Sequence, residues 1–485
     1  MFGLEDFRGR KRQMYGTSEP RSIDSTPPAL FDRYGDEPAL AARLVSAGMS
    51  AEAAGTRAEL FKRCDAFLHD GMGIGTSTSQ TFGLFVPGRI EVLGKHTDYA
   101  GGRSLLCAVE RGMCMLASPR SDRTVRFAAL NRGESAEFEL SPDLKPAAGH
   151  WSNYPMTVAR RVARNFAGKL RGADIVMLSD LPPAAGLSSS SALVVGTFML
   201  LSRINDLRDR AAHRVAISSD AELASYLGTI ENGRGFGTLG GDTGVGTFGG
   251  SEDHTAILLS RAGQLSLYSF CPARSEGEVA LPPGYCFVVA NSGVVAEKTR
   301  GAMEAYNAIS RRVARLVEMW NVHTGRRDAC LADVVRSSGD AAKALLALAS
   351  GASPGATDPL LPARLEQFVL ESEQLIPDAF AALSAGDLSG FGRAVSASQA
   401  ASENLLHNQT PQTVTLARTA MECGATAASC FGAGFGGGAW ALVPRTTAQA
   451  FADRWLDAYR REASGYSQEA VSAFVTGAGT AANWV

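Results

Sequence analysis

Apolar residues recur along this chain with two periods, and each period marks a different kind of element. Residues 173–178, Ala-Asp-Ile-Val-Met-Leu, form a short apolar run that reads as a strand. The run 192–201 is longer and reads as a buried helix. Further strands are predicted at 113–117, 124–130, 137–140, 265–270 and 285–290, and a short one carries Ile90 and Val92. Residues 38–68 place Leu40, Leu44, Leu60, Phe61 and Phe67 at helical spacing, which predicts one or two surface-packed helices. Helices are also expected at 151–170, 221–230, 295–322, 326–348, 365–383 and 388–421. Between these segments lie a Gly/Ser/Thr loop at 71–80, a glycine-rich passage at 233–250 and a linker-like loop at 351–362. The passage at 233–250 is either a lid or a long surface loop. Pro282-Pro283-Gly284 is a candidate domain boundary, and residues 1–35 are polar enough to form a loosely ordered arm.

At 485 residues, the chain has room for two or three domains. Its 47 basic and 49 acidic residues nearly cancel, so no overall basic excess points to nucleic acid or a membrane surface. No stretch approaches the roughly 20 apolar residues that span a bilayer. Residues 1–12 are charged throughout and lack the apolar core of a secretory signal, so a cytoplasmic location is expected. Eight cysteines without CxxC spacing suit buried thiols in a reducing compartment. Seven histidines without an HExxH pattern give no zinc site.

Three stretches carry chemistry. The first is Leu181-Pro182-Pro183-Ala184-Ala185-Gly186-Leu187-Ser188-Ser189-Ser190-Ser191, which turns from the strand at 173–178 into the helix. A helix N-terminus has unpaired N–H groups and partial positive charge, so it favours phosphate. Small side chains let an anion approach, and hydroxyls add donors or a metal ligand. The plainer alternative is that these serines cap a core helix. The second stretch runs from Gly88 to Gly102 and crowds Lys95, His96, Thr97, Asp98 and Tyr99, groups able to hydrogen-bond a polyol, into one loop; the plainer alternative is a turn stabilised by His96 and Asp98, with Arg89 a solvated surface charge. The third is Gly432-Ala433-Gly434-Phe435-Gly436-Gly437-Gly438, a tight turn between strand-like segments. It opens no helix and is therefore no dinucleotide fingerprint, and the chain has no GxxxxGK[ST].

Taken in chain order, Gly88–Gly102, Leu181–Ser191 and Gly432–Gly438 resemble the galactokinase branch of the GHMP sugar and small-alcohol kinases. The resemblance runs from about residue 60 to the C-terminus. It implies an α+β fold of two domains: an N-terminal ribosomal S5-like domain and a C-terminal ferredoxin-like domain, with the active site in the cleft. The implied division is an extension at 1–59, an ATP- and sugar-binding domain at 60–281 and a C-terminal domain at 282–485. The implied reaction is transfer of phosphate from ATP, with Mg2+, to the anomeric hydroxyl of galactose or a related monosaccharide. Gly186, Leu187, Ser188, Ser189, Ser190 and Gly434 would bind ATP, and Ser190 and Glu231 would hold the metal. Asp242 and Glu252 compete with Glu231 for that role. Asp253 and Arg89 would be catalytic, and Lys95, His96, Asp98 and Tyr306 would bind the sugar.

Some positions depart from the family pattern. Lys95 replaces a glutamate that contacts the sugar's C6 hydroxyl, so a uronic acid such as galacturonate is an alternative substrate. Otherwise Lys95 pairs with Glu91, which itself replaces an asparagine. Ala184 replaces a glycine and Ser191 an alanine. A different class of function, a non-catalytic sensor of sugar and ATP, is the further alternative.

Overall fold

The computed structural model describes residues 34, 36–73, 80–183, 185–294, 300–351 and 358–485. Expectations for residues 1–33, 35, 74–79, 184, 295–299 and 352–357 lie outside the described residues. In chain order the strands are β1 (Phe82–Leu93), β2 (Arg103–Pro119), β3 (Thr124–Ala129), β4 (Glu134–Glu139), β5 (Ala173–Ser179) and β6 (Gln264–Ser269). They continue with β7 (Arg274–Ala280), β8 (Tyr285–Asn291), β9 (Ala427–Cys430), β10 (Gly438–Pro444), β11 (Ser472–Thr476) and β12 (Asn483–Trp484).

Eight of them form one sheet in the order β12-β1-β2-β5-β3-β4, with β6 beside β2 and β7 beside β6. Its β3–β5 pair is parallel and its other pairs are antiparallel. The remaining four pair antiparallel as β11-β8-β10-β9. With helices after β8 and after β10, this second sheet has the ferredoxin-like arrangement. The chain is thus α+β, as expected.

Every position of β1 is buried, because both faces of the sheet are covered. On one face Leu84, Val86, Ile90 and Val92 share a core with Val194, Phe198 and Leu201 of the helix Ser189–Ile204. On the other, Phe85 packs with Leu116 and Val176 beneath Leu40, Leu44 and Phe61. Those three come from the helices Glu37–Ser46 and Ala51–Ala66, capped by the side chains of Asp36 and Ser50.

Three expected helices are broken. The segment 388–421 divides into Leu388–Ala401 and Pro411–Glu422, separated by a wide turn at Ser402–Leu406 and by His407 in the left-handed region. The segment 365–383 is interrupted by a wide π turn, Val369–Leu375, and 326–348 becomes Leu331–Val335 and Ala341–Gly351. A wide turn preserves the apolar stripe, so periodicity alone does not reveal it. β7 is an unexpected strand, its polar Arg-Ser-Glu-Gly-Glu stretch suiting an element paired only with β6 among the described residues. The short helix Glu252–Leu259 was missed as well, although it carries a residue expected to be catalytic.

The tail of the chain crosses the expected boundary at 282. Trp484 pairs with Leu84, Gly479 N donates to Ala108 O, and Val485 N donates to Gly83 O. The first sheet is therefore completed by residues from the far end of the sequence. Among the described residues, no helix is long and apolar enough to cross a membrane.

Candidate active site

Near the end of β1 the register with β2 shifts between Pro87 and Arg89 and again between Glu91 and Leu93. Bulges of this kind re-aim side chains. Arg89 is buried, with its Nε donating to Asp253 Oδ1 at 2.7 Å and its Nη1 to Gly186 O at 2.5 Å. Its backbone N donates to Leu187 O, which ties β1 to the serine turn. The two residues expected to be catalytic thus meet although 164 positions separate them.

The helix Glu252–Leu259 presents Asp253 to the N-terminus of the helix Ser189–Ile204. Burial alone would raise the Asp253 carboxyl. The Arg89 guanidinium, with the Ser188 hydroxyl and His254, outweighs burial and holds it below the usual carboxylate range. Ser188 precedes the helix in the left-handed region at φ 56°, and Gly186 lies at φ 81°. Glu231 lies in the last turn of the helix Asp220–Asn232, and its Oε1 accepts from Ser191 Oγ at 2.7 Å. Ser190 and Glu231 both line the cavity described next.

That cavity, of about 540 Å³, is bounded by Arg89, His96, Asp98, Ser188–Ser191, Glu231, Asp253, Tyr306 and Gly434. The polar loop forms one wall. His96 sits at φ 57°, its Nδ1 lies 2.7 Å from Tyr99 Oη, and its ring centroid is 4.9 Å from that of Tyr306. Burial, helped by Arg364, lowers the His96 pKa to about 3, so the ring is neutral at physiological pH. Burial raises the Asp98 carboxyl, whose Oδ2 accepts from Glu252 N at 3.2 Å. Gly250 is required here, because a Cβ would lie 2.4 Å from Asp98 Oδ2.

Lys95 is the exception among the expected sugar-binding residues. Its ammonium points away from the cavity, into the interior, and donates to Ser398 Oγ at 2.9 Å and Ser429 Oγ at 2.8 Å. It is 1 % exposed, and its backbone N donates to Glu371 Oε1. Lys95 is thus set apart from the cavity lining, whereas the sequence led to the expectation that it binds the sugar. The alternative pairing with Glu91 is not the one adopted: Glu91 Oε2 instead accepts from Gly432 N at 3.2 Å. Of the two competitors of Glu231, Glu252 also lines the cavity and Asp242 does not. Asp242 is clamped by Arg160 and Arg161, and Glu252 Oε2 accepts from Ser104 Oγ at 2.6 Å. The glycine-rich passage is pinned as well, since Asn307 bonds Phe248 N and Gly246 O.

Glu91, Ser191 and His254 also line the cavity, beyond the residues expected there. Glu91 and Ser191 were visible as departures from the family pattern. His254 gave no signal, being one residue beyond Asp253 in a helix that was not predicted.

Comparison with known proteins gives three matches along the chain. The galactokinase galactose-binding signature matches residues 74–119, the GHMP kinases N terminal domain matches 153–250, and the GHMP kinases C terminal domain matches 379–461. The galactokinase of Roseiflexus sp. (strain RS-1) is 30% identical over 377 residues, covering 77% of this chain and 86% of the relative. The galactokinase of Chloroflexus aurantiacus is 31% identical over 382 residues, again covering 77% and 86%. Among solved structures, Lactococcus lactis galactokinase complexed with galactose superposes with a TM-score of 0.70 at 24% identity. It covers 86% of this chain and 99% of its own, a likeness of fold.

Proposed function

The chain belongs to the galactokinase family of GHMP kinases, and we propose that it transfers the γ-phosphoryl group of ATP to the anomeric hydroxyl of galactose. The observation that carries this reading is the Arg89–Asp253 pair, set between the serine turn and the His96–Asp98 loop on one cavity.

Phosphoryl transfer requires positioning and charge neutralisation more than covalent help. Asp253, kept ionised by Arg89, accepts the proton of the attacking hydroxyl. Arg89 also offsets negative charge on the group in transit. Neutral His96 and buried Asp98 hold sugar hydroxyls, and they discriminate because a buried polar atom left unpaired is costly. Tyr306 packs against the His96 ring and closes that side.

The donor set beside the serine turn fits Mg2+. It consists of a hydroxyl and a carboxylate, both oxygen donors, and Mg2+ binds through few protein oxygens while keeping water and phosphate ligands. Ser190 and Glu231 would hold it, and it would supply charge neutralisation at the phosphates. Gly186, Leu187, Ser188, Ser189 and Gly434 would cradle ATP, with the phosphates at the N-terminus of the helix Ser189–Ile204. With no membrane-crossing helix among the described residues, a cytoplasmic place suits this chemistry.

The test is ATP consumption across a monosaccharide panel, with the phosphorylated carbon of the product identified. Galactose is expected to be phosphorylated at C1 and preferred to galacturonate. Binding of sugar and ATP without turnover would favour the sensor instead.

A further inference from the structure

Three helices converge on one hydroxyl. Ser191, in the first turn of the helix Ser189–Ile204, is 2 % exposed. Its Oγ lies 2.7 Å from Glu231 Oε1 and 3.3 Å from Asp253 Oδ2. Glu231 comes from the helix Asp220–Asn232 and Asp253 from the helix Glu252–Leu259. His254 Nε2 stands 3.1 Å from the same Glu231 oxygen. Asp253 Oδ1 accepts from Arg89, and the Ser188 hydroxyl also bonds the carboxyl, so Oδ2 is the oxygen on which Ser191 can act.

A serine hydroxyl has one proton to donate. At 2.7 Å against 3.3 Å, that proton rests on Glu231. A cation drawing on the negative charge of Glu231 weakens this hydrogen bond, because the carboxylate becomes a poorer acceptor. The proton is then better placed on Asp253 Oδ2, which would fix both oxygens of the carboxylate that faces the sugar.

We propose that Ser191 is a positioning residue coupling cation binding at Glu231 to the orientation of Asp253, so that metal–nucleotide and sugar reinforce each other's binding. The proposal rests on the kinase reading above. It concerns residues of this chain and not the chemistry of the transfer itself. Coupling of this kind is reciprocal, so either ligand reports it.

The experiment is calorimetric and needs no turnover. Galactose affinity is measured alone and again with Mg2+ and a non-hydrolysable ATP analogue. This is done for wild type, Ser191→Ala and Ser191→Thr, with Ser191→Gly as a second hydroxyl-free variant. Wild type is expected to bind galactose about fivefold or more tightly in the presence of metal–nucleotide. In Ser191→Ala and Ser191→Gly the ratio should fall to about one, and Ser191→Thr, which keeps a hydroxyl, should restore it. A general loss of packing would lower the thermal midpoint and weaken both affinities without removing their ratio. An unchanged ratio in the hydroxyl-free variants, or no coupling in wild type, overturns the proposal. Failure of the kinase reading looks different: wild type would then consume no ATP with galactose in the panel assay, while the calorimetric ratio is still read on its own.

Discussion

At the scale of single residues, the site turns on which charges face one another. Arg89 was legible because it sits in a compact motif, and Asp253 only through the family resemblance. Lys95 was not, because its direction is set by Ser398 and Ser429, more than 300 positions away in sequence. Removing the Asp253 carboxylate should cost the proposed general base while leaving the cavity intact. Asp253→Asn is expected to lower kcat by about 10²–10⁴-fold, with KM for ATP little changed. Steady-state kinetics check it. Glu91 offers a different test. Burial raises its carboxyl from 4.5 to about 7, with Lys95 and Arg89 opposing the rise and Glu371 and Asp253 adding to it. Between those two pH values the native chain holds a proton that the unfolded chain has released. Stability therefore falls as pH rises through that window, and the full cost is present above it. Glu91→Gln should flatten this fall and unfold at higher urea than wild type at pH 8 but not at pH 5. Urea midpoints at the two pH values decide the matter.

At the scale of elements, tight turns place the groups. Gly434 lies at φ 68°, and a Cβ there would come within 2.1 Å of Asn408 O. Gly434→Ala is expected to cost at least about 1–3 kcal/mol of stability and to raise KM for ATP. Urea unfolding and kinetics measure the two effects. The strands around the core were readable because β5, β6 and β8 are short apolar runs with little competing pattern. The interior of the helical region was not, because a wide turn such as Val369–Leu375 leaves the apolar stripe continuous. That turn matters to the site, since its Glu371 accepts from the backbone N–H of Gly94 and Lys95 and so fixes the entry to the polar loop.

At the scale of the whole molecule, Lys95 links the polar loop to the helix Leu388–Ala401 and to β9 through two hydroxyls. Lys95→Met leaves Glu91 and Glu371 without that neighbouring charge. It should cost about 3 kcal/mol of stability while leaving the ratio of galactose to galacturonate use unchanged. Denaturant unfolding and a two-substrate assay test the two halves of that statement. A sequence read in order divides this chain near residue 282, yet β12 lies on β1, and Tyr34 Oη donates to Val485 O at 3.0 Å. A ribosome making this protein exposes β1 long before its neighbour exists. Until residue 484 emerges, that sheet edge is open to other strands, so a chaperone or a passing nascent chain has its opportunity there. Polypeptides stalled or cut shortly before that residue would keep the edge bare and should be the ones found in aggregates.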